Sequence, residues 1–341
     1  MKSQRFGIEI EMTGLTRCEA AKVVAGYFHS ETTFVGGTYD AYTVRDSQNR
    51  QWKLMKDSSI RCENKDGDHA SDRHAVEFVS PICRYEDIET IQEILRALKE
   101  KGARVNASCG IHVHVDASRH NPQTLRNIVN IMVSKEDLLY KTLDIKVDRQ
   151  RYCKKADTRF LDQVNQVKPG TMQEIERLWY NGPSRSYSHY DHSRYYGLNL
   201  HSVFSKGTIE FRLFNSTLHA GKVKTYIQLC LAISNQALIQ KGASRIRTQS
   251  SNEKYTFRTW LLRLGLIGPE FKTARELLLR RLEGNIAWKD PAQAERQKKR
   301  LAAMHDAQGI SPEELTDGED VETEDAENEE DSAETIAAMT M

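Results

Sequence analysis

Hydrophobic and polar residues alternate along several short segments of this 341-residue chain. In residues 4–12, QRFGIEIEM, every second residue from Phe6 to Met12 is apolar. Successive side chains of a strand point to opposite faces of the sheet, so such a segment has one apolar and one polar face. The polar residues 46–50 indicate a hairpin turn between two such segments. The same alternation predicts further strands over residues 39–46, 51–57, 74–82, 109–116, 194–201 and 207–214.

Other segments place apolar residues three and four positions apart, which is the spacing of an amphipathic helix. Thr16 and Glu19 form a capping box, which predicts that a helix begins at residue 17. The predicted helices span residues 17–28, 85–101, 122–145, 223–239, 256–264 and 270–288, with weak helical pieces within 146–190. Because the strands are joined by both hairpins and helices, we expect an α+β fold with a mostly antiparallel sheet.

The composition limits the class of protein. The chain is 39% hydrophobic and 28% charged, and no apolar run approaches the roughly 18 residues that a membrane-spanning helix needs. The N-terminal segment has no apolar core of the kind found in signal peptides. The six cysteines form no CxxC pair, which favours reduced thiols. We therefore expect a cytoplasmic protein with no membrane partner.

The formal net charge of +1 hides an asymmetry along the chain. Residues 313–341 contain 13 acidic and no basic residues, whereas the rest of the chain has a formal charge of +14. The acidic segment is poor in apolar residues, which predicts a disordered tail. We therefore divide the chain into a catalytic domain over residues 1–289, a linker over 290–312 and an acidic tail over 313–341.

Polar groups that suit catalysis lie on the predicted strands, where residues two apart share a face about 6–7 Å from one another. Each pair alone also fits a solvent-exposed strand face. Together they would place several carboxylates side by side, and such a cluster needs compensation by a divalent cation such as Mg²⁺ or Mn²⁺. An arginine beside it suits a phosphate oxygen, so the set indicates phosphoryl transfer. The residues are Glu9 and Glu11, Glu77, His112 and His114, and Glu210 and Arg212.

Five motifs in a fixed order carry a family resemblance. They are FGIEIE (6–11), VEFVSPI (76–82), CGIHVHVD (109–116), YYGLNLHS (195–202) and TIEFRLFNST (208–217). In this order they resemble the amidoligase family, within the glutamine synthetase and glutamate–cysteine ligase superfamily. The resemblance covers residues 5–240.

The resemblance implies both a fold and an activity. The fold would be a mostly antiparallel sheet that forms an open half-barrel or funnel backed by helices, as in the catalytic domain of glutamine synthetase. The activity would be the ATP-dependent joining of a carboxylate to an amine through an acyl phosphate. The implied cofactors are ATP and Mg²⁺, with Mn²⁺ as an alternative. The substrate would be an amino acid, a peptide or a protein.

The resemblance also implies roles for individual residues. The carboxylate of Glu210, the guanidinium of Arg212 and the imidazole of His114 would be catalytic. In nucleotide binding, Arg212 would meet the transferred phosphate, and His112 would contact the metal that bridges the nucleotide phosphates. The implied metal ligands are Glu9, Glu11, Glu77, His112 and Glu210. A further carboxylate ligand, either Asp57 or Glu63, would complete a second metal site.

Two other segments contain candidates for substrate or nucleotide binding. Lys53 lies in a strand-like run, where a solvated strand edge is the alternative interpretation. Arg194 lies in an aromatic and basic segment, residues 187–196, which would stack on adenine or contact a peptide. An ordered polar loop is the alternative there. The P-loop motif GxxxxGK[ST] is absent from the sequence, so nucleotide binding of that type is excluded.

Two other classes of function fit parts of the sequence. A metal-dependent hydrolase would use the same carboxylates and the HxH pair. A nucleic-acid-binding protein would use the basic body, with the acidic tail as a mimic of nucleic acid. The basic residues are spread along the chain without a known nucleic-acid motif, which argues against the second class. The oligomeric state is left open by the sequence.

Overall fold

One antiparallel sheet organises the chain, and helices cover one of its faces. The computed structural model describes residues 1–287 and residues 292, 293, 296, 299 and 300. The strands are β1 (Phe6–Met12), β2 (Thr32–Gly36), β3 (Ala41–Arg45), β4 (Gln51–Met55), β5 (Val76–Val79), β6 (Gly110–Asp116), β7 (Leu198–Asn199) and β8 (Thr208–Asn215). Their order across the sheet is β2-β3-β4-β5-β1-β6-β8-β7, and every pairing is antiparallel.

Ten α-helices lie within residues 1–287. They are α1 (Arg17–Phe28), α2 (Asp87–Glu100), α3 (Pro122–Thr142), α4 (Val147–Gln150), α5 (Thr158–Val167), α6 (Met172–Tyr180), α7 (His201–Lys206), α8 (Ala220–Ile239), α9 (Glu253–Arg263) and α10 (Lys272–Leu279). Helix α8 packs against β6, α2, α3 and α10, and α1 packs against β3 and β4. Helix α8 is therefore central to the layer that covers the apolar face of the sheet.

The apolar face of the sheet forms the core of the protein. Ile8 and Ile10 of β1 are 1% and 0% exposed, and the same holds for the alternate residues of the neighbouring strands. In β5 these are Val76 and Phe78, and in β6 they include Val113. Burial of this face fixes the register, because a shift by one residue would exchange the two faces of a strand. The polar residues between them consequently face the other side of the sheet.

The structure confirms most of the predicted elements. Thr16 and Glu19 form both hydrogen bonds of the capping box at the start of α1. Asn121 caps α3, with Pro122 at its first position. Helix α3 ends at Thr142, three residues before the predicted end. The α+β class and the antiparallel sheet are confirmed as well.

The predicted strand over residues 194–201 is wrong for most of its length. Only Leu198–Asn199 forms a strand, and α7 begins at His201. The side-chain oxygen of Asn199 accepts a hydrogen bond from the backbone N–H of His201 at 2.8 Å. This local bond favours a turn into the helix over continued strand pairing, a competition typical of asparagine.

Two further expectations differ from the structure. Strand β2 was not predicted, because its adjacent apolar residues Phe34 and Val35 give no alternation. In the structure these side chains are 58% and 62% exposed. The helix predicted over residues 270–288 ends at Leu279. Most of the predicted linker, 290–312, and all of the predicted tail, 313–341, lie outside the described residues.

The sheet is open, yet the segments beside its two edges meet. Tyr39 lies in the turn between β2 and β3 at one edge, and His189 lies in the segment that precedes β7 at the other. The hydroxyl of Tyr39 is 3.5 Å from Nε2 of His189. This contact across the sheet indicates that the sheet is curved, with its polar face on the concave side. Within the described part of the chain, every helix is too short or too polar to cross a bilayer.

A buried polar chain ties the N-terminal segment to α3 and α8. The hydroxyl of Ser234 donates to the side-chain oxygen of Gln4 at 2.6 Å, and Nε2 of His120 lies 2.9 Å from the same hydroxyl. Burial, assisted by the neighbouring charge of Arg119, lowers the pKa of His120 to about 4. The folded protein therefore keeps this imidazole neutral at pH values where an unfolded chain would protonate it.

We predict that His120 makes the protein less stable as the pH falls from about 6.5 to about 4. In that interval His120 is protonated in the unfolded chain but stays neutral in the folded protein. The free energy of unfolding therefore falls by up to ~1.4 kcal/mol per pH unit. His120→Gln should remove this part of the pH dependence, whatever its effect on the stability itself. Urea unfolding at several pH values measures this pH dependence of the free energy of unfolding. The exposed His192→Gln is the control, and an unchanged pH slope in H120Q would contradict the prediction.

Candidate active site

The seven polar groups predicted to act together lie on the concave face of the sheet. In the strand register Glu9 is opposite His112, and Glu11 is opposite Glu77. His114 is opposite Glu210. Directly opposed residues of antiparallel strands point to the same face. The sheet therefore brings together side chains that are up to 203 positions apart in the chain, from Glu9 to Arg212.

Glu9 lies at the centre of this group. One of its carboxylate oxygens is 3.0 Å from Nδ1 of His112, and the other is 3.2 Å from Nε2 of His114. The ammonium group of Lys206 approaches the second oxygen to 3.6 Å. Burial alone would raise the pKa of Glu9, but the two imidazoles, His114 first, outweigh it and hold the pKa well below its ordinary value.

Glu210 and Arg212 form a buried ion pair beside Glu9. Nη1 of Arg212 donates to one carboxylate oxygen of Glu210 at 2.5 Å, and the side-chain amide of Asn199 donates to the other at 2.6 Å. Burial tends to raise the pKa of Glu210, but Arg212 and then His114 lower it to about 2. Between the register pairs of β6 and β8 an irregularity leaves Arg212 and Leu213 opposite the single residue His112. The resulting bulge places the guanidinium next to the imidazole.

A second carboxylate group lies at the other end of β1. Ligand atoms of Glu11, Asp57 and Glu77 all lie within 4.8 Å of one another. Burial raises the pKa of Glu11 to about 7 against the opposing effect of Arg149. Burial, followed by the charges of Glu9 and Asp57, raises the pKa of Glu77 well above its ordinary value. The carboxylates of this group therefore lack enough neighbouring positive charge to stabilise their ionised forms.

The donor set fits a divalent cation. Two further groups of ligand atoms lie within 4.8 Å, namely Glu9 with Glu77 and His112, and Glu9 with His114 and Glu210. Nε2 of His112 and Nε2 of His114 are both buried and neither makes a well-aligned hydrogen bond, although that of His114 lies 3.2 Å from the carboxylate of Glu9. Burial and the charge of Arg212 lower the pKa of His112 to about 4, so its ring is neutral and free to act as a ligand. Carboxylate oxygens with neutral imidazole suit Mg²⁺ or Mn²⁺.

A cavity of about 290 Å³ opens beside the Glu9 end of the site. Gly7 contributes to its floor, in register with His114. Val79 to Ile82 line one side, and Lys206 to Thr208 line the other. Because glycine has no side chain at this position of the concave face, the cavity extends to Glu9 and His114.

Asp57 and Glu63 were alternatives for one further ligand. Asp57 lies in the second carboxylate group. The carboxylate of Glu63 instead accepts a hydrogen bond from Asn106 at 2.9 Å and belongs to none of the candidate cation groups of the described residues. Geometry thus favours Asp57.

Lys53 and Arg194 lie further from the carboxylates. Lys53 is exposed on the concave face, and Val79 separates it from Glu9 in the register. Arg194 donates to the backbone oxygen of His189 at 2.6 Å. Its guanidinium is 5.8 Å from the centre of the Tyr195 ring, and that of Arg212 is 6.0 Å from the same ring. Tyr195 therefore connects the segment of Arg194 to the buried ion pair.

Sequence reasoning missed two cations of the site, Lys206 and Arg149. Lys206 ends the short helix α7, which was not predicted. Arg149 lies in the four-residue helix α4, and its guanidinium is 3.6 Å from the carboxylate of Glu11. Neither residue belongs to an alternating pattern, so the sequence contains no local signal for their positions.

The comparison with protein families agrees with this geometry. A family described as "Putative amidoligase enzyme" matches residues 2–234, which contain all of the strands and every side chain of the site named above. The chain belongs to this amidoligase family, and the predicted resemblance is confirmed. No significant match was found among curated protein sequences.

We predict opposite effects of Glu77→Gln on stability and on cation binding. Removal of one charge relieves the repulsion with Glu9 and Asp57, so the metal-free protein should gain up to about 1 kcal/mol of stability at pH 8. The same change removes a proposed ligand and should reduce the rise in Tm on addition of Mn²⁺. Thermal unfolding with and without Mn²⁺ measures both effects.

Glu63→Gln is the matched control for this experiment. It makes the same chemical change outside the carboxylate groups and should keep the full response to Mn²⁺. A wild-type Mn²⁺ response in E77Q, or its loss in E63Q, would exclude the proposed ligand set.

Proposed function

We propose that this amidoligase joins a carboxylate to an amine in an ATP-dependent reaction. The observation that carries the proposal is the buried pair of Glu210 and Arg212 beside two groups of carboxylates on one concave face. A carboxylate is a poor electrophile at neutral pH, so amide formation requires its activation. Carboxylates that attract cations, together with an arginine, supply the charge neutralisation that phosphoryl transfer needs.

Two divalent cations, Mg²⁺ or alternatively Mn²⁺, fit the donor set. One would be held by Glu9, either with Glu77 and His112 or with His114 and Glu210, and the other by Glu11, Asp57 and Glu77. When bound, they would neutralise the charge of the phosphate oxygens. The buried Nε2 atoms of the histidines, which make no well-aligned hydrogen bond, support this assignment, as does the raised pKa of Glu77.

The proposed reaction has two steps. An oxygen of the substrate carboxylate attacks the γ-phosphorus of ATP, the bond from phosphorus to the ADP oxygen breaks, and an acyl phosphate forms. The amine nitrogen then attacks the acyl carbon, phosphate leaves with the bonding electrons, and the nitrogen loses a proton. ADP and inorganic phosphate are therefore both products of each amide bond formed.

The residues around the ion pair would act on the transferred phosphoryl group. Nη1 of Arg212 is held by Glu210, so the guanidinium is fixed in orientation and its other terminal nitrogen is available to a phosphoryl oxygen. His114 is held through Nδ1 by the hydroxyl of Thr208 at 2.9 Å, which directs its Nε2 toward Glu9. Electrostatic groups fixed before the reaction need no reorganisation as charge develops.

The cavity beside Glu9 is the proposed place of the nucleotide. It adjoins the carboxylates that would hold the cation, and Lys206 lies at its border. Arg194 and the exposed Lys53 stay candidates for contacts with the nucleotide or the second substrate. We further propose that the curved sheet is a glutamine synthetase-like half-barrel in a cytoplasmic enzyme whose substrates are amino acids, peptides or proteins.

We predict that the purified protein with Mg²⁺ forms ADP from ATP only when a carboxylate and an amine are both supplied. A library of amino acids and peptides, tested in pairs, is the measurement. Arg212→Met should lower the rate at least about 100-fold, as removal of one group that stabilises transition-state charge commonly does. Full ligation by correctly folded R212M would refute the assignment.

The control for R212M is Arg96→Met. Arg96 is exposed on α2, which packs in the helical layer away from the concave face, so the rate should not change. Stoichiometric zinc in the purified protein, with bond hydrolysis in the absence of ATP, would instead assign the site to a metal-dependent hydrolase. The ligase and the hydrolase assignments therefore predict different metals and a different requirement for ATP.

A further inference from the structure

Arg149 covers the concave face at the start of β6. It is 3% exposed, although it belongs to a helix of only four residues in a polar part of the chain. Its guanidinium lies directly over Gly110. A Cβ atom at Gly110 would be 2.1 Å from both terminal nitrogens of Arg149, so only glycine leaves room for the guanidinium there.

Gly110 is the neighbour of Glu11 across the strands. Its backbone N–H donates to the carboxylate of Glu11 at 2.6 Å. Arg149 consequently occupies the place that a side chain of residue 110 would have on the site face. The guanidinium comes from a different part of the chain and lies next to Glu11, which is opposite Glu77 on the neighbouring strand.

The hydrogen-bonding capacity of Arg149 is mostly unused. Its Nη1 pairs with Glu11 at 3.6 Å, which is too long for a hydrogen bond. Its Nη2 donates to the backbone oxygen of Arg212 at 3.4 Å. Its Nε is buried without a hydrogen-bond partner. A buried guanidinium with five N–H donors is costly unless those donors are satisfied.

We propose that Arg149 binds an anionic oxygen of the substrate, from a carboxylate or a phosphoryl group, inside the active site. The planar guanidinium suits either anion, because two of its N–H groups match two oxygens. The identity of the anion as a reactant rests on the proposed function, whereas the binding itself does not. Arg149 and Arg212, joined through the backbone oxygen of Arg212, form one cationic part of the site beside Glu11 and Glu210.

A purely structural role for Arg149 would require different contacts. A guanidinium that only anchored α4 to the sheet would be expected to donate a short hydrogen bond to Glu11. The observed 3.6 Å separation leaves the two groups attracted but unbonded. Nε and Nη1 can therefore donate to a ligand without breaking an internal hydrogen bond.

The test measures anion binding by the full chain in MgCl₂ without ATP. Thermal unfolding is followed during titration with inorganic phosphate and, separately, with acetate, at constant ionic strength adjusted with chloride. We expect at least one of the two anions to raise Tm. Arg149→Met should weaken its apparent binding about 10- to 100-fold, the loss expected for hydrogen bonds to a charged group.

Two other variants distinguish the loss of the anion site from an effect of misfolding or of changed net charge. Gly110→Ala keeps the arginine but displaces its guanidinium, so it should weaken binding as R149M does. Arg151→Met removes an equal charge two residues away. Arg151 is exposed and stacks on Tyr152, and this variant should bind like the wild type. If R149M does not fold, G110A and Arg149→Lys, which keeps the charge but loses the planar fork, test the same point.

Each outcome decides the proposal. A response to acetate alone assigns Arg149 to the substrate carboxylate, and a response to phosphate alone assigns it to the phosphoryl group. Wild-type titration curves in both R149M and G110A would overturn the proposal, as would the absence of any anion response in the wild type. Because no ATP is turned over, a failed ligase assay and a failed anion titration are independent results.

Discussion

Repulsion between carboxylates on one sheet face is the constraint to which the rest of this site responds. Glu11, Glu77 and Glu210 are buried and Glu9 is nearly so, and the low local dielectric strengthens every interaction among them. The structure meets this constraint in two ways. Glu9 and Glu210 have imidazole and guanidinium partners, which lower their pKa values. Burial raises the pKa values of Glu11 and Glu77, which lack enough neighbouring positive charge to offset it.

The apolar side of the same strands holds this unfavourable arrangement in place. Ile8 and Ile10 are buried on the face opposite Glu9 and Glu11, so rotation of the acidic side chains away from one another would expose the core of β1. The free energy of apolar burial is spread over the whole helical layer. It therefore maintains a local charge cluster that is unstable by itself, as is common where a site awaits a charged ligand.

Alternation in the sequence was sufficient to place Glu9, Glu11, Glu77, His112 and Glu210 on one face, because each lies between apolar residues of a strand. It left Asp57 and Glu63 as alternatives, and it could not place Arg149, which reaches the sheet through space. Contacts of this kind depend on the path of loops and short helices, and no periodicity encodes that path. The strand expected over 194–201 was wrong for a related reason, since one side-chain hydrogen bond of Asn199 decided the local structure.

The two carboxylate groups and the cavity lie in sequence along β1, and this order bears on how two reactants could meet. From Gly7 at the cavity to Glu11 at the second group, four strand residues span about 13 Å. A cation-bound phosphate chain extending from the cavity would reach Arg212 at the middle of this distance, opposite Glu9 and His112. A substrate carboxylate held by Arg149 would approach the same point from the Glu11 end. The bulge in β8, which places Arg212 beside His112, is therefore the point where the transferred phosphoryl group would pass between the two.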